Sequence, residues 1–157
     1  MEPEEIQMRA VTATLAWISG AAYRPRAAAL ETAMTAMDEA RATTLGGVYI
    51  CAEGSARRFT REYAAVAGTE ALPGAPWDGR WDIKGPAEEG DVLRPLGEAG
   101  VRACPDWRES GLPRASLAAS PGVWQGDRLI AAPLAGFGEG WSARLVPTRA
   151  RLTATTG

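Results

Sequence analysis

Thr43 to Glu62, T-T-L-G-G-V-Y-I-C-A-E-G-S-A-R-R-F-T-R-E, constrains the fold more than any other stretch of the chain. It joins an alanine-rich N-terminus to a remainder punctuated by glycine and proline, and it reads as a β-hairpin. Alternation sends Val48 and Ile50 to one face and Tyr49 and Cys51 to the other. Glu53-Gly54-Ser55-Ala56 is the turn, and the return strand runs from Arg57 to Glu62 with Arg57, Phe59 and Arg61 on one side. Gly46 and Gly47 are expected to allow a sharp helix-to-strand turn, one of them at positive φ.

Upstream, residues 3–19 have helical spacing. Met8, Val11, Leu15 and Ile18 recur on one stripe, Glu4 and Glu5 suit the positive end of the helix dipole, and Gly20 is placed to stop the helix. A second helix is expected from Pro25, with Leu30, Met34 and Met37 facing a core. Downstream, Val66 to Pro76 has no period and reads as a loop. In the Trp77-Asp78-Gly79-Arg80 entry, Asp78 is expected to make an Asx-type turn, Gly79 to take the awkward torsions and Arg80 to be exposed. Trp81 to Lys84 is a half-buried strand, and after a turn at Gly85–Gly90 the chain returns as a strand over Asp91 to Leu96. Pro95 confines that strand to an edge or an end. Short helices are expected at Leu96–Cys104 and from Leu112-Pro113 to about Ala119, with a second hairpin around Gln125-Gly126-Asp127-Arg128 and a last strand over Trp141–Val146.

The expected class is α+β: an N-terminal helical hairpin followed by short antiparallel strands with short interspersed helices. Residues 1–66 would hold the helices and first β-hairpin, 77–147 a small mixed subdomain, and 148–157 a tail.

Composition mainly excludes. The chain of 157 residues contains no histidine, so Ser-His and Cys-His catalytic pairs and His-containing metal sites are ruled out. Cys51 and Cys104 are too few for a Cys-rich zinc site and are expected to be reduced thiols in the cytoplasm. No apolar run has membrane-spanning length. The net charge is −2, which supplies no overall basic field, yet every basic residue except Lys84 is arginine. A GC-rich genome accounts for that bias; arginine is also suited to bidentate phosphate contacts.

Three stretches carry a family likeness: T-L-G-G at Thr44–Gly47 closed by Arg61-Glu62, W-D-G-R at Trp77–Arg80, and L-P-R-A-S-L at Leu112–Leu117 followed by V-W-Q-G-D-R-L-I-A-A-P at Val123–Pro133. In this order, across about 90 residues, they resemble the C-terminal half of bacterial tRNA(Ile)-lysidine synthetase, the alphaproteobacterial members most. That family uses ATP to join lysine to a cytidine of the isoleucine tRNA anticodon. The resemblance implies that an N-terminal ATP-pyrophosphatase domain performs the chemistry while the later domains hold the tRNA. The family's Ser-Gly-Gly-x-Asp-Ser phosphate loop is absent here, and Gly46-Gly47 precedes a strand and cannot replace it. No cofactor is therefore expected on this chain, and ATP is implied only for the catalytic domain. Alone, the chain is expected to be inert.

The candidate RNA-binding residues are Arg57, Arg58, Arg61 and Arg80, on or beside strands that could share a face, with Arg114 near a helix start. Arg144, Arg149 and Arg151 form a secondary basic stretch, and Trp107 and Trp124 are candidate base-stacking platforms. Gly46, Gly47, Asp78 and Gly79 are structural positions. The expected function is a tRNA-recognition module that positions the anticodon arm or acceptor stem. The alternative is a structural or protein-interaction module that docks on a partner domain or self-associates. Exposed Met8, Val11, Leu15 and Ile18 would favour the alternative, and an Arg57/Arg61/Arg80 cluster on one surface the first.

Overall fold

Two helices come first, α1 (Pro3–Ser19) and α2 (Ala27–Asp38). The computed structural model describes residues 3–19 and 25–146, and the chain divides into two units, Met1–Ala65 and Val66–Gly157. The architecture is α+β: two helices, then antiparallel strands in small sheets with short helices between them.

In the first unit the helices pack on a three-stranded antiparallel sheet of β1 (Thr43–Leu45), β2 (Val48–Glu53) and β3 (Ala56–Arg61). β2 and β3 turn through Gly54-Ser55, with Glu53 opposite Ala56 and Gly54 at φ +60°. Glycine at positive φ in the first of two loop positions is the type II′ requirement. Thr43–Leu45 adds a strand that hairpin reading missed. Leu45 stands opposite Val48, so Gly46-Gly47 joins two strands and not a helix to a strand. Both glycines take positive φ, +58° and +77°, as a type I′ turn demands. The core consists of Leu15, Ile18, Leu30, Met37, Val48 and Ile50, with Val11, Trp17, Met34, Leu45 and Phe59 at its margin. Helical and strand periodicities therefore meet on one apolar layer.

The short helix α3 (Tyr63–Val66) spans the boundary in sequence, and the second unit holds β4 (Trp81–Lys84), β5 (Val92–Pro95), α4 (Gly97–Ala103), α5 (Arg114–Ala118), β6 (Pro121–Gln125), β7 (Arg128–Ala131) and β8 (Ser142–Leu145), with 3-10 turns at Trp107–Ser110 and Pro133–Ala135. The hairpin expected around Gln125–Arg128 forms as β6–β7 through Gly126-Asp127. The pairing implied for β4 with the returning β5 does not. β4 pairs with β8, and β5 lies in a sheet of order β5-β6-β7. The reason is occupancy. One edge of β5 pairs with β6, and at the other Leu93 exchanges both backbone hydrogen bonds with Ala71 at 3.0 and 2.8 Å. Ala71 lies in the stretch expected to be loop; that segment packs into this unit's core together with Val66. Asp91, buried, anchors the start of β5 by accepting from the Glu88 amide and the Gln125 side-chain amide, each at 2.8 Å. Pro95 ends β5 opposite Pro121, where no ladder amide is needed.

Two clusters fill this unit. One gathers Leu96, Val101, Cys104, Leu117 and Trp124; the other gathers Val66, Trp77, Ile83, Leu93 and Val123. No helix among the described residues is long and apolar enough to cross a membrane. Both cysteines are free and buried, and burial pushes both thiols up from their ordinary value; at Cys51 the nearby Arg58 opposes that rise.

Candidate nucleic-acid interface

Strand alternation decides where the arginines of the first unit point. Ile50 stands opposite Phe59, Val48 opposite Arg61 and Ala52 opposite Arg57, so Arg57 and Arg61 share the core-side face with Phe59. Arg58 stands opposite Cys51 and projects from the other face. The expected shared face for Arg57, Arg58 and Arg61 is thus divided by the pleat. Arg57 donates through Nε at 2.9 Å and Nη2 at 2.5 Å to the carbonyl of Met37, in the last turn of α2. That carbonyl also accepts from the Ala40 amide at 3.1 Å, and a cation there meets the negative end of the helix dipole. Arg58 pairs with Glu53. Arg61 and Glu62 close over the Gly46-Gly47 turn: the Glu62 amide donates to the Gly47 carbonyl at 2.9 Å, and a Cβ on Gly47 would lie 3.3 Å from Arg61 Nη1.

The role of Arg57 makes a prediction. Arg57→Ala should lower the stability of the chain by about 2 kcal/mol, the range for charged, partly buried hydrogen bonds, and Arg57→Lys should recover part of it. Urea titration followed by circular dichroism reads this directly, and an unchanged midpoint for Arg57→Ala would remove Arg57 from the helix end.

The W-D-G-R stretch is a tight turn. Trp77 and Trp81 exchange backbone hydrogen bonds at 2.8 and 3.0 Å, and the Arg80 amide donates to the Trp77 carbonyl at 3.0 Å. Asp78 and Gly79 both take positive φ, +53° and +63°, so Asp78 shares the unusual torsions with Gly79. Arg80 corrects the sequence reading: it is buried, 7% exposed, and already has contacts of its own. Its carbonyl accepts from the Val146 amide at 2.8 Å, beyond the end of β8, so a distant strand end closes over this turn. A buried guanidinium needs partners inside the protein and has little to offer a phosphate outside it.

The third stretch supplies core and one surface cluster. Leu117, Val123, Trp124, Ala131 and Ala132 are buried. Trp124, 9% exposed with the Arg94 guanidinium 4.8 Å from its ring centroid, is no open stacking platform. Trp107 is half-buried against the core, and its ring carries the guanidinium carbons of Arg108 at 4.6 Å and Arg114 at 5.7 Å. Arg114, at the start of α5, also donates to Glu98 on α4 at 2.7 Å. Arg144 is exposed and donates to Asp82 at 3.2 Å, while Arg149, Arg151 and the expected tail lie outside the described residues. Sequence reasoning overlooked Arg94 and Arg108; the adjacent Trp107-Arg108 pair was the available signal for the second. Among the described residues no group of His, Cys, Asp or Glu could hold a metal ion.

The sequence has a curated relative. Over 143 residues, 91% of this chain, the sequence is 46% identical to tRNA(Ile)-lysidine synthase of Ruegeria pomeroyi (strain ATCC 700808 / DSM 15171 / DSS-3). The chain is homologous to the C-terminal part of that synthase. It spans 34% of the synthase's length. No family model and no solved structure matches the chain. The stretches that resemble the lysidine synthetases are largely turn glycines and buried side chains in this fold.

Proposed function

We propose that this chain is the tRNA-recognition part of a tRNA(Ile)-lysidine synthase, holding the isoleucine tRNA by backbone and shape contacts. The observation that carries this reading is the 46% identity over 91% of the chain to the R. pomeroyi synthase. Lysine ligation and ATP binding would belong to the portion of such an enzyme that this chain does not span, and a cytoplasmic setting accompanies that role. The docking alternative needed an exposed apolar stripe on α1. Leu15 and Ile18 are fully buried and Val11 is half-buried, while the side chain of Met8 lies outside the described residues. Of the expected cluster of Arg57, Arg61 and Arg80, Arg57 donates to the end of α2 and Arg80 is buried.

The test is binding of the chain to an unmodified isoleucine tRNA transcript across a salt series, with a blunt duplex as competitor. With about four phosphate contacts, affinity should fall roughly 50- to 150-fold between 50 and 200 mM salt. Absence of binding at 50 mM salt, or equal competition by the duplex, would sink the proposal.

A further inference from the structure

We propose that Trp107, Arg108 and Arg114 form a contact point for single-stranded RNA, in which guanidiniums held on the indole grip a phosphate and present a plane to an adjacent unpaired base. This rests on the tRNA-recognition reading above.

Several arginines of the two units are engaged by polar partners. Arg57 donates to the Met37 carbonyl, Arg58 pairs with Glu53, Arg144 pairs with Asp82, and Arg94 donates to the Gly126 carbonyl at 2.5 Å. Arg108 differs. It is exposed, and its recorded partner is the face of Trp107, 4.6 Å away. A guanidinium over an aromatic face is held by the ring's quadrupole and spends none of its N–H hydrogen bonds on that ring, which leaves them available to an oxyanion. Stacking also removes rotamer freedom before any ligand arrives, which lowers the entropic cost of binding.

The support beneath is rigid. Trp107 packs on the cluster of Leu96, Val101, Cys104 and Leu117 and sits in the 3-10 turn Trp107–Ser110. That turn is closed by Ser110, whose hydroxyl donates to the Trp107 carbonyl at 2.7 Å and accepts from the Leu112 amide at 3.1 Å. Gly111 follows at φ +74°. Arg114 approaches the same ring at 5.7 Å from α5, and Glu98 fixes it at 2.7 Å. Glu98 neutralises part of that charge, and Asp106 and Glu109 flank the Trp107-Arg108 pair, so the site is a local device and not a broad basic field. Such geometry suits a flexible strand whose base can stack and whose phosphate can be gripped singly. A blunt duplex offers only its backbone.

Arg108→Gln, Arg108→Lys and a control, Arg128→Gln on the exposed start of β7, should be compared in the full chain. The probes are the unmodified isoleucine tRNA, a ten-nucleotide single strand and a blunt duplex. Because Arg108 and Arg128 are exposed, all three variants should keep the wild-type circular dichroism spectrum. Arg108→Gln is expected to weaken tRNA and single-strand binding about tenfold and to reduce the salt slope by about 0.7–1, with the duplex unchanged. Arg108→Lys should restore the slope but not the full affinity, since an ammonium lacks the planar stack. If wild type binds the tRNA with the expected salt dependence and Arg108→Gln binds as well as Arg128→Gln, this site is wrong while the tRNA reading stands. If wild type binds no RNA, both are overturned.

Discussion

Trp77→Ala is expected to destabilise the chain by about 3–5 kcal/mol, the range for removing a large aromatic from a packed core. Trp77 is fully buried among Val66, Ile83, Leu93, Ala119 and Val123. Its indole N–H donates to the Thr69 carbonyl at 3.1 Å, so one side chain ties the irregular segment before it to the sheets after it. Alanine would leave both a cavity and a carbonyl without its donor. Against a total stability of roughly 5–15 kcal/mol for a domain, such a loss approaches unfolding. Trp77→Phe keeps most of the apolar volume and gives up the hydrogen bond, so it should cost about half as much. Urea unfolding monitored by near-ultraviolet circular dichroism separates the two variants. An alanine variant with the wild-type midpoint would show that Trp77 is not the keystone of this core.

Gly138→Ala is expected to cost about 4 kcal/mol, the sum of backbone strain and overpacking. Gly138 has φ +97°, and a Cβ there would sit 2.4 Å from Ala131 Cβ and 2.8 Å from Ala131 Cα. The nearer atoms are a buried methyl and backbone of β7, and neither can rotate aside. Just before it, Phe137 and Ala132 exchange backbone hydrogen bonds at 2.8 and 3.1 Å, which fix the loop against that strand. Gly126→Ala is the informative comparison. It also has positive φ, +57°, but a Cβ there would meet nothing within 4 Å, so only the torsional penalty of about 1–2 kcal/mol should remain. Equal losses in the two variants would mean that the close approach to Ala131 is absent.

For the candidate site, the sequence was a partial guide. The alternation in Ala56–Arg61 already separates Arg58 from Arg57 and Arg61, because successive side chains on a strand face opposite ways. What alternation could not supply was the end of α2, whose Met37 carbonyl claims Arg57 across twenty residues of chain. Arg80 occupies a turn motif, and turns are usually exposed. Arg80 is nevertheless buried, and the chain beyond β8 returns to the turn, where the Val146 amide donates to the Arg80 carbonyl. Trp107 could be nominated as an exposed-loop aromatic, but not the guanidiniums on its ring. Arg114 reaches it from a separate helix that only tertiary packing brings near.

The sequence by itself determined the local features: both helices of the first unit, the Gly54-Ser55 and Gly126-Asp127 hairpins, the short helices α4 and α5, and the α+β class. These depend on residues a few positions apart, where periodicity and turn torsions act directly. Only the tertiary structure decided that β4 pairs with β8 and not β5, that Gly46-Gly47 joins two strands, and that the arginine of W-D-G-R is buried. Strand partners, burial and the uses of long cationic side chains depend on which distant surfaces compete for the same edge or carbonyl. That competition is settled by the packed whole, because every buried backbone group and charge must find its partner at once.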